Sequence, residues 1–335
     1  MSTTGAAPHT PDFPSDRLGR VSTAVQADAG TKGAPARSTF RQTFRAMPVL
    51  VKVSAIWLFV IVFGAIYAKF DMAVFDDGLP FLQNPNLQTN NFNAKTGQFG
   101  TGQKLEGISG AHWLGTDAIA RDTFARIVHG AWVSVIVAVI SVAFGVIVGG
   151  LLGSLVGFVR GRTETIAMSA IDVILAFPAL VLLLALVSIF KVRDLFLISM
   201  VIGVLSIPSY TRVARANSLA ISNREFVTAA RAIGTKPMTI LFREVIPNVM
   251  PTLLSYAMVA SAYVVVVEGS LSFLGLSVQL PTSTWGNMIN QARGDIKVDA
   301  SQVLWPSLAL SLTVLALNQV GDFYQKRRAV RSSSL

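Results

Sequence analysis

The chain has 335 residues, 52% of them hydrophobic and only 14% charged, with no cysteine and a formal charge of +10. Soluble domains carry about 25% charged residues, so an ordinary soluble fold is excluded, and without cysteine there are no disulfides, thiolate metal sites or cysteine nucleophiles. The basic residues flank apolar blocks instead of gathering on one soluble face, which points to membrane lipid and away from nucleic acid.

Residues 1–46 are rich in Ser, Thr, Ala, Pro and Gly and show no sustained apolar period. They read as a disordered cytosolic tail. A cleaved secretory signal is not expected, because the first apolar block begins only near Met47 and Ala65-Ile-Tyr-Ala68 is a poor cleavage site. Each long block that follows is a spanning candidate, since a bilayer core of about 30 Å needs roughly 20 apolar helical residues.

Six spans are predicted, at 47–68, 133–159, 166–190, 195–209, 251–274 and 303–323. They make an all-α integral membrane domain over 47–324, with an extracytoplasmic polar segment at 70–130 and a basic tail at 325–335. Lys and Arg set the orientation. With the N-terminus inside, nineteen lie on the cytosolic side against nine outside. Both termini are therefore expected in the cytosol.

The second span carries Gly145, Gly149, Gly153 and Gly157 at four-residue spacing, a groove that lets another backbone approach closely. Ionisable groups inside spans raise a functional question by default. Asp172 in the third span reads either as a partner-satisfied group or as a pathway residue. Glu268, in the fifth, reads as a hinge-stabilising group or as part of the outer mouth, with Ser270 and Phe273 beside it. His9, His112 and His129 are too scattered for a metal cluster.

The cytosolic segment 212–248 is the most informative. Ser222-Asn-Arg-Glu225 has the spacing of a capping box, and Gly234 is a natural C′ residue for the helix it would start. Pro237 suits the first turn of a second short helix, which Pro247 is expected to close. The product is a helix-Gly-helix element with small residues where a partner could approach.

Thr228-Ala229-Ala230, three residues, Gly234 and then Ile246-Pro247 resemble the "EAA" loop of binding-protein-dependent ABC importer permeases. Thr228 stands where that pattern has Glu, Glu244 where it has Ile, and Ile246 where it has Leu. Two further stretches resemble the C-type permeases of the dipeptide, oligopeptide and nickel branch. One is His112-Trp-Leu-Gly-Thr-Asp117 with Arg121-Asp122, Arg126, Gly130 and Ser134. The other is Glu268-Gly-Ser-Leu-Ser-Phe-Leu-Gly275 with Val278-Gln279, Pro281-Thr282 and Trp285-Gly-Asn287. Asn318, Gly321 and Asp322 fit as well.

The resemblance implies a type I ABC importer transmembrane domain that performs no chemistry itself. It implies a homologous second permease, two ABC ATPase subunits that hold the ATP and Mg, and an extracytoplasmic solute-binding protein. It also implies that Glu225, Thr228, Ala229, Ala230, Gly234, Pro237 and Pro247 form the ATPase-coupling loop. No cofactor is expected in this chain. The nearest approach to a phosphate-binding loop, Gly97-Gln-Phe-Gly-Thr-Gly-Gln-Lys104, has Gln where that loop needs Lys. Di- or oligopeptides are the expected cargo, with nickel chelates or other small solutes open. A secondary transporter or channel, the rival class, should show inverted repeats or interrupted helices facing each other at the midplane.

Overall fold

The structure is a computed structural model that describes residues 47–74, 82, 84–86, 92–93, 98–99, 104–191 and 193–333. The tail expected at 1–46 and most of the Gly97–Lys104 string lie outside the described residues. All elements below belong to the unit that starts at Val49.

Nine helices are described. They are α1 (Val49–Val74), α2 (Thr123–Val159), α3 (Arg162–Leu175), α4 (Ala179–Ile189), α5 (Leu195–Ile221), α6 (Glu225–Ala232), α7 (Pro237–Phe273), α8 (Trp285–Ala292) and α9 (Ser301–Ser333). The only described strands are two-residue β1 (Phe92–Asn93) and β2 (Gln98–Phe99), paired antiparallel. The fold is all-α in substance. Helices satisfy their own backbone groups, which is what a hydrocarbon environment requires.

Five helices are long and apolar enough to cross a membrane: α1, α2, α5, α7 and α9. The third expected span is a bent pair instead, α3 and α4, which meet at 81°. Pro178 is the reason. It has no amide hydrogen and disfavours helix in the residue before it, so α3 stops at Leu175 and Pro178 becomes the N-cap of α4. Six spans result only if that pair counts as one.

Other boundaries also moved. α2 begins ten residues before Val133, because Asp122 caps it: the Ala125 amide donates to Asp122 Oδ1 at 2.6 Å. α5 continues past Ser209 to Ile221, so the basic segment starts as helix. Pro247 closes nothing. A π-helical turn at Leu241–Val245 absorbs the missing hydrogen bond, and the helix continues through Pro247 and Pro251 to Phe273. α9 likewise runs through Gln325 and the basic residues after it.

Lipid tails are as apolar as Leu, so close packing and polar contacts hold such helices together. The glycine stripe of α2 faces α5. A Cβ at Gly149 would stand 2.8 Å from the Ile207 carbonyl oxygen, and one at Gly157 would stand 2.6 Å from that of Arg215. Hydrogen bonds flank the stripe: Ser141 Oγ donates to Ser199 O at 2.7 Å and Ser218 Oγ to Ser154 O at 2.8 Å. α1 is tied to α9 by Trp57 Nε1 donating to Thr313 Oγ1 at 3.1 Å. On α9, Gly321 lies against Val259 of α7.

The core has separate apolar clusters. One gathers Tyr210, Ala214, Val227, Ile240, Val245 and Leu253 around the start of α7. Another joins Val133, Val137, Leu183, Ile198, Val264 and Leu271 toward the opposite end.

The stripe yields a prediction. In Gly153→Leu the side chain would collide with the Thr211 carbonyl and Ala214 Cβ, the latter 2.6 Å from an added Cβ. Overpacking typically costs about 1–3 kcal/mol. The solubilised variant should therefore melt roughly 2–10 °C lower, whereas Val139→Ala, at a 59% exposed position on the same helix, should melt unchanged. Thermal unfolding in detergent measures both.

Candidate functional site: a docking element on a helical bundle

α5 hands the chain to α6 through only Ser222, Asn223 and Arg224. Ser222 is not the N-cap of α6, as the capping-box spacing suggested. α5 extends far enough to use Ser222 as its own C-cap, with its amide donating to Ser218 O at 2.8 Å. Arg224 takes the N-cap position without a side-chain hydrogen bond.

The other end of α6 has the geometry that Gly234 suggested. Gly234 has φ +78, its amide donates to Arg231 O at 3.0 Å, and the Thr235 amide donates to Ala230 O at 3.1 Å. That pair of bonds is a Schellman motif. Nothing lies within 4 Å of an added Cβ at Gly234, so only backbone conformation demands glycine there. Pro237 then occupies the first turn of α7.

Val227, fully buried, anchors α6 in the apolar cluster, and Ala230 packs against the same cluster. Ala230 is half-buried, with part of its surface against the cluster. Arg231 adds a second anchor, its guanidinium 5.4 Å from the centre of the Phe158 ring at the end of α2. Outward from these anchors stand Phe226, Ile233, Met238 and Phe242, 43%, 82%, 58% and 59% exposed. Glu225, Thr228 and Ala229 are exposed as well, and so is Pro247.

Two ion pairs that the sequence did not reveal hold α3 to α5. Arg215 Nε donates to Glu164 Oε1 at 2.6 Å, and Arg212 Nη2 to Asp172 Oδ1 at 2.5 Å. Asp172 is thus partner-satisfied. The Asp172 and Arg212 side chains are 61% and 52% exposed, so the pair orients α3 more than it stabilises the bundle. The spacing of Arg212 and Arg215 against Glu164 and Asp172 gave no signal without knowing that the helices are neighbours.

Glu268 is not at an open mouth. It is 1% exposed and accepts hydrogen bonds from Ser134 Oγ at 3.3 Å and Ser277 Oγ at 3.2 Å. It thereby ties α7 to α2 and to the loop before α8. Ser270 and Phe273 lie on a different face of α7, which also exposes Tyr263 and Val266. The structure separates these residues from Glu268. α8 is built by a capping box, with the Asn287 amide donating to Thr284 Oγ1 and the Thr284 amide to Asn287 Oδ1, both 3.1 Å. Thr-x-x-Asn spacing could have revealed it. Trp285 Nε1 donates to Ile127 O at 3.0 Å and locks α8 onto α2.

Residues 149–331, more than half of the sequence, match the family described as binding-protein-dependent transport system inner membrane component. The chain belongs to this family. The permease is also 37% identical to the glutathione transport system permease protein GsiD of Pectobacterium atrosepticum over 217 residues, 65% of this chain and 72% of the relative. It is 36% identical to the GsiD proteins of Escherichia coli O1:K1 and Shigella boydii, over 64% of this chain and 71% of each relative. Membership makes the permease a multi-pass membrane subunit of an importer that works with a binding protein and further subunits. The family match contains the α6–α7 element and the Glu268 stretch; the stretch from His112 to Ser134 precedes it.

The buried carboxylate gives a second prediction. Glu268→Gln keeps one acceptor oxygen and sets its amide NH2 as a donor against the other serine oxygen, so both contacts can persist with one reversed, and membrane abundance and melting temperature should stay near those of the parent. Glu268→Leu strands both hydroxyls, at about 1–3 kcal/mol for each buried group left unpaired, and should lower both readouts. Equal behaviour of the two variants would show that the hydrogen bonds are not what Glu268 contributes.

Proposed function

We propose that this permease forms half of a translocation pathway for small peptides, glutathione or di- and oligopeptides among them, and that α6 with the start of α7 transmits ATP-driven motion to it. The observation that carries the reading is the α6–Gly234–α7 turn. α6, seated through Val227 and Arg231, the turn after it and the start of α7 expose Phe226, Ile233, Met238 and Phe242. Apolar side chains rimmed by Arg224, Glu225 and Arg243 are what a protein partner's cleft can take up.

Several further assignments follow from this reading. The α6–α7 element lies in the cytosol with both termini, by the excess of Lys and Arg on that side. Two cytosolic ATPases bind ATP and Mg and dock there. A homologous permease faces the exposed stripe of α7 that includes Tyr263, Val266, Ser270 and Phe273. An extracytoplasmic binding protein, which selects the solute, delivers it on the opposite side. This chain itself needs no cofactor, and its contribution is binding, shape change and force transmission.

Coupling is tested by substitution in the turn. A β-branched residue at φ +78 is strained, by roughly 1–2 kcal/mol. That is too little to unfold the bundle yet enough to misdirect the short helix. Gly234→Val and Ile233→Asp should leave membrane abundance intact, weaken copurification of ATPase subunits and abolish glutathione uptake. Thr3→Ala should change none of these. Normal uptake by both turn variants at normal abundance would show that the element does not couple.

A further inference from the structure

A cavity of 490 Å³ lies among the spans α1, α2, α7 and α9, away from the docking element. Leu58 and Ile61 of α1 form one wall, Ala138 and Val146 of α2 another, and Ala257 and Val265 of α7 the floor. It extends from Leu254 to Val265 along α7 and from Ile147 to Ser134 along α2, about 16–20 Å by helical rise.

The two ends differ. At one, Trp285 and Ser134 are 0% and 2% exposed, and Gly64 of α1 closes against Val128 of α2. At the other, Ile147 and Leu254 are 59% and 51% exposed. The cavity is therefore blind beside Trp285 and open beside Leu254. Gln325 Nε2 donates to Ser255 O at 3.3 Å, which sets the basic end of α9, with Lys326 and Arg327, at the level of that opening. Apolar depth and basic mouth together match one leaflet, about 15 Å of hydrocarbon below a layer of phosphates.

The lining selects the occupant. Among the described residues no ionisable group lines the cavity, and its hydroxyls are already used. Ser134 donates to Glu268, Ser261 Oγ to Ala257 O at 2.8 Å and Thr313 Oγ1 to Ala309 O at 2.7 Å. Water and polar solutes would find no partners there. An empty void forfeits dispersion contacts that a chain of methylenes restores. A helix about 10 Å across would need roughly 1,400 Å³ over this length, nearly three times the volume present. The face proposed for the second permease, with Tyr263 and Val266, lies on the other side of α7 from Ala257 and Val265 by helical period. Only 17% of α1's apolar window is buried, against 28–39% for the other four spans, so α1 is the span that protein alone supports least.

We propose that this cavity holds one acyl chain of a bilayer phospholipid, inserted past Leu254 with its methyl end against Trp285, and that the chain seats α1 on the bundle. The phosphate stands at the level of Lys326 and Arg327. Assigning the lipid to the cytosolic leaflet rests on the orientation proposed above; the seat itself does not.

The test uses the full chain in nanodiscs that contain phosphatidylglycerol with a diazirine near the end of one acyl chain. After irradiation and proteolysis, mass spectrometry locates the label. Peptides carrying Val265 and Trp285, which surrounding lipid cannot touch, should be labelled, together with the 69% exposed Phe59. Ala138→Phe and Ser261→Leu each fill the cavity, and should remove the label from Val265 and Trp285 while Phe59 keeps it. A misfolded variant would not show that selective loss. Label on Phe59 without Trp285, or Trp285 labelling indifferent to both substitutions, overturns the proposal. So does loss of the Trp285 label in native membranes with the partner subunits present, which would give the cavity to another protein. A failure of peptide uptake or of the assigned orientation would leave the labelling result standing, so the two readings fail separately.

Discussion

Everything on one end of this molecule depends on how closely the backbone of α5 approaches α2. Gly149, Gly153 and Gly157 remove the side chains that would hold the two helices apart, and the serine hydroxyls at Ser141 and Ser218 bridge the seam. Without a hydrophobic drive between helices in lipid, such contact is the main source of cohesion. α5 is thereby fixed in height and rotation. Its last turns carry Arg212 and Arg215, which orient α3, and its end launches α6.

The result is a short lever seated on a rigid pair. Val227 and the Arg231–Phe158 contact join α6 to the same cluster that surrounds the beginning of α7. The π-helical turn at Leu241–Val245 lets α7 pass Pro247 and Pro251 without a break, so α6 connects through one glycine turn to a helix that crosses the whole bundle. At the far end of that helix Glu268 is bound to α2 and to the loop before α8. A displacement at α6 has a continuous helical route to the opposite side, though a route is not itself evidence of coupling.

Much of this was legible in the sequence. Block length and charge bias gave the membrane class and the spans; Gly234 gave its turn because only glycine suits that conformation; and the glycine spacing gave a packing face. The failures have physical causes. The third span reads as continuous by hydropathy alone, although Pro178 within it is a sequence signal for the break that the structure shows. Pro247 was read as a stop because a π turn leaves no trace in residue type. Ser222 was assigned to the wrong helix because capping-box spacing cannot tell which of two adjoining helices owns the residue. Asp172, Glu268 and Arg126 each have at least one partner 40 or more residues away, and those partners became visible only with the packing.

The central claim is that the α6–Gly234 turn faces the cytosol and engages another protein there. Because the sequence contains no cysteine, a single Ile233→Cys substitution supplies one reporter in a clean background. The direct measurement is labelling of that cysteine by a membrane-impermeant maleimide, in sealed right-side-out and inverted vesicles, with and without the ATPase subunits bound. The account predicts labelling only in inverted vesicles, and protection when the ATPases are present. Labelling in sealed right-side-out vesicles, or full reactivity with the ATPases bound, would contradict it.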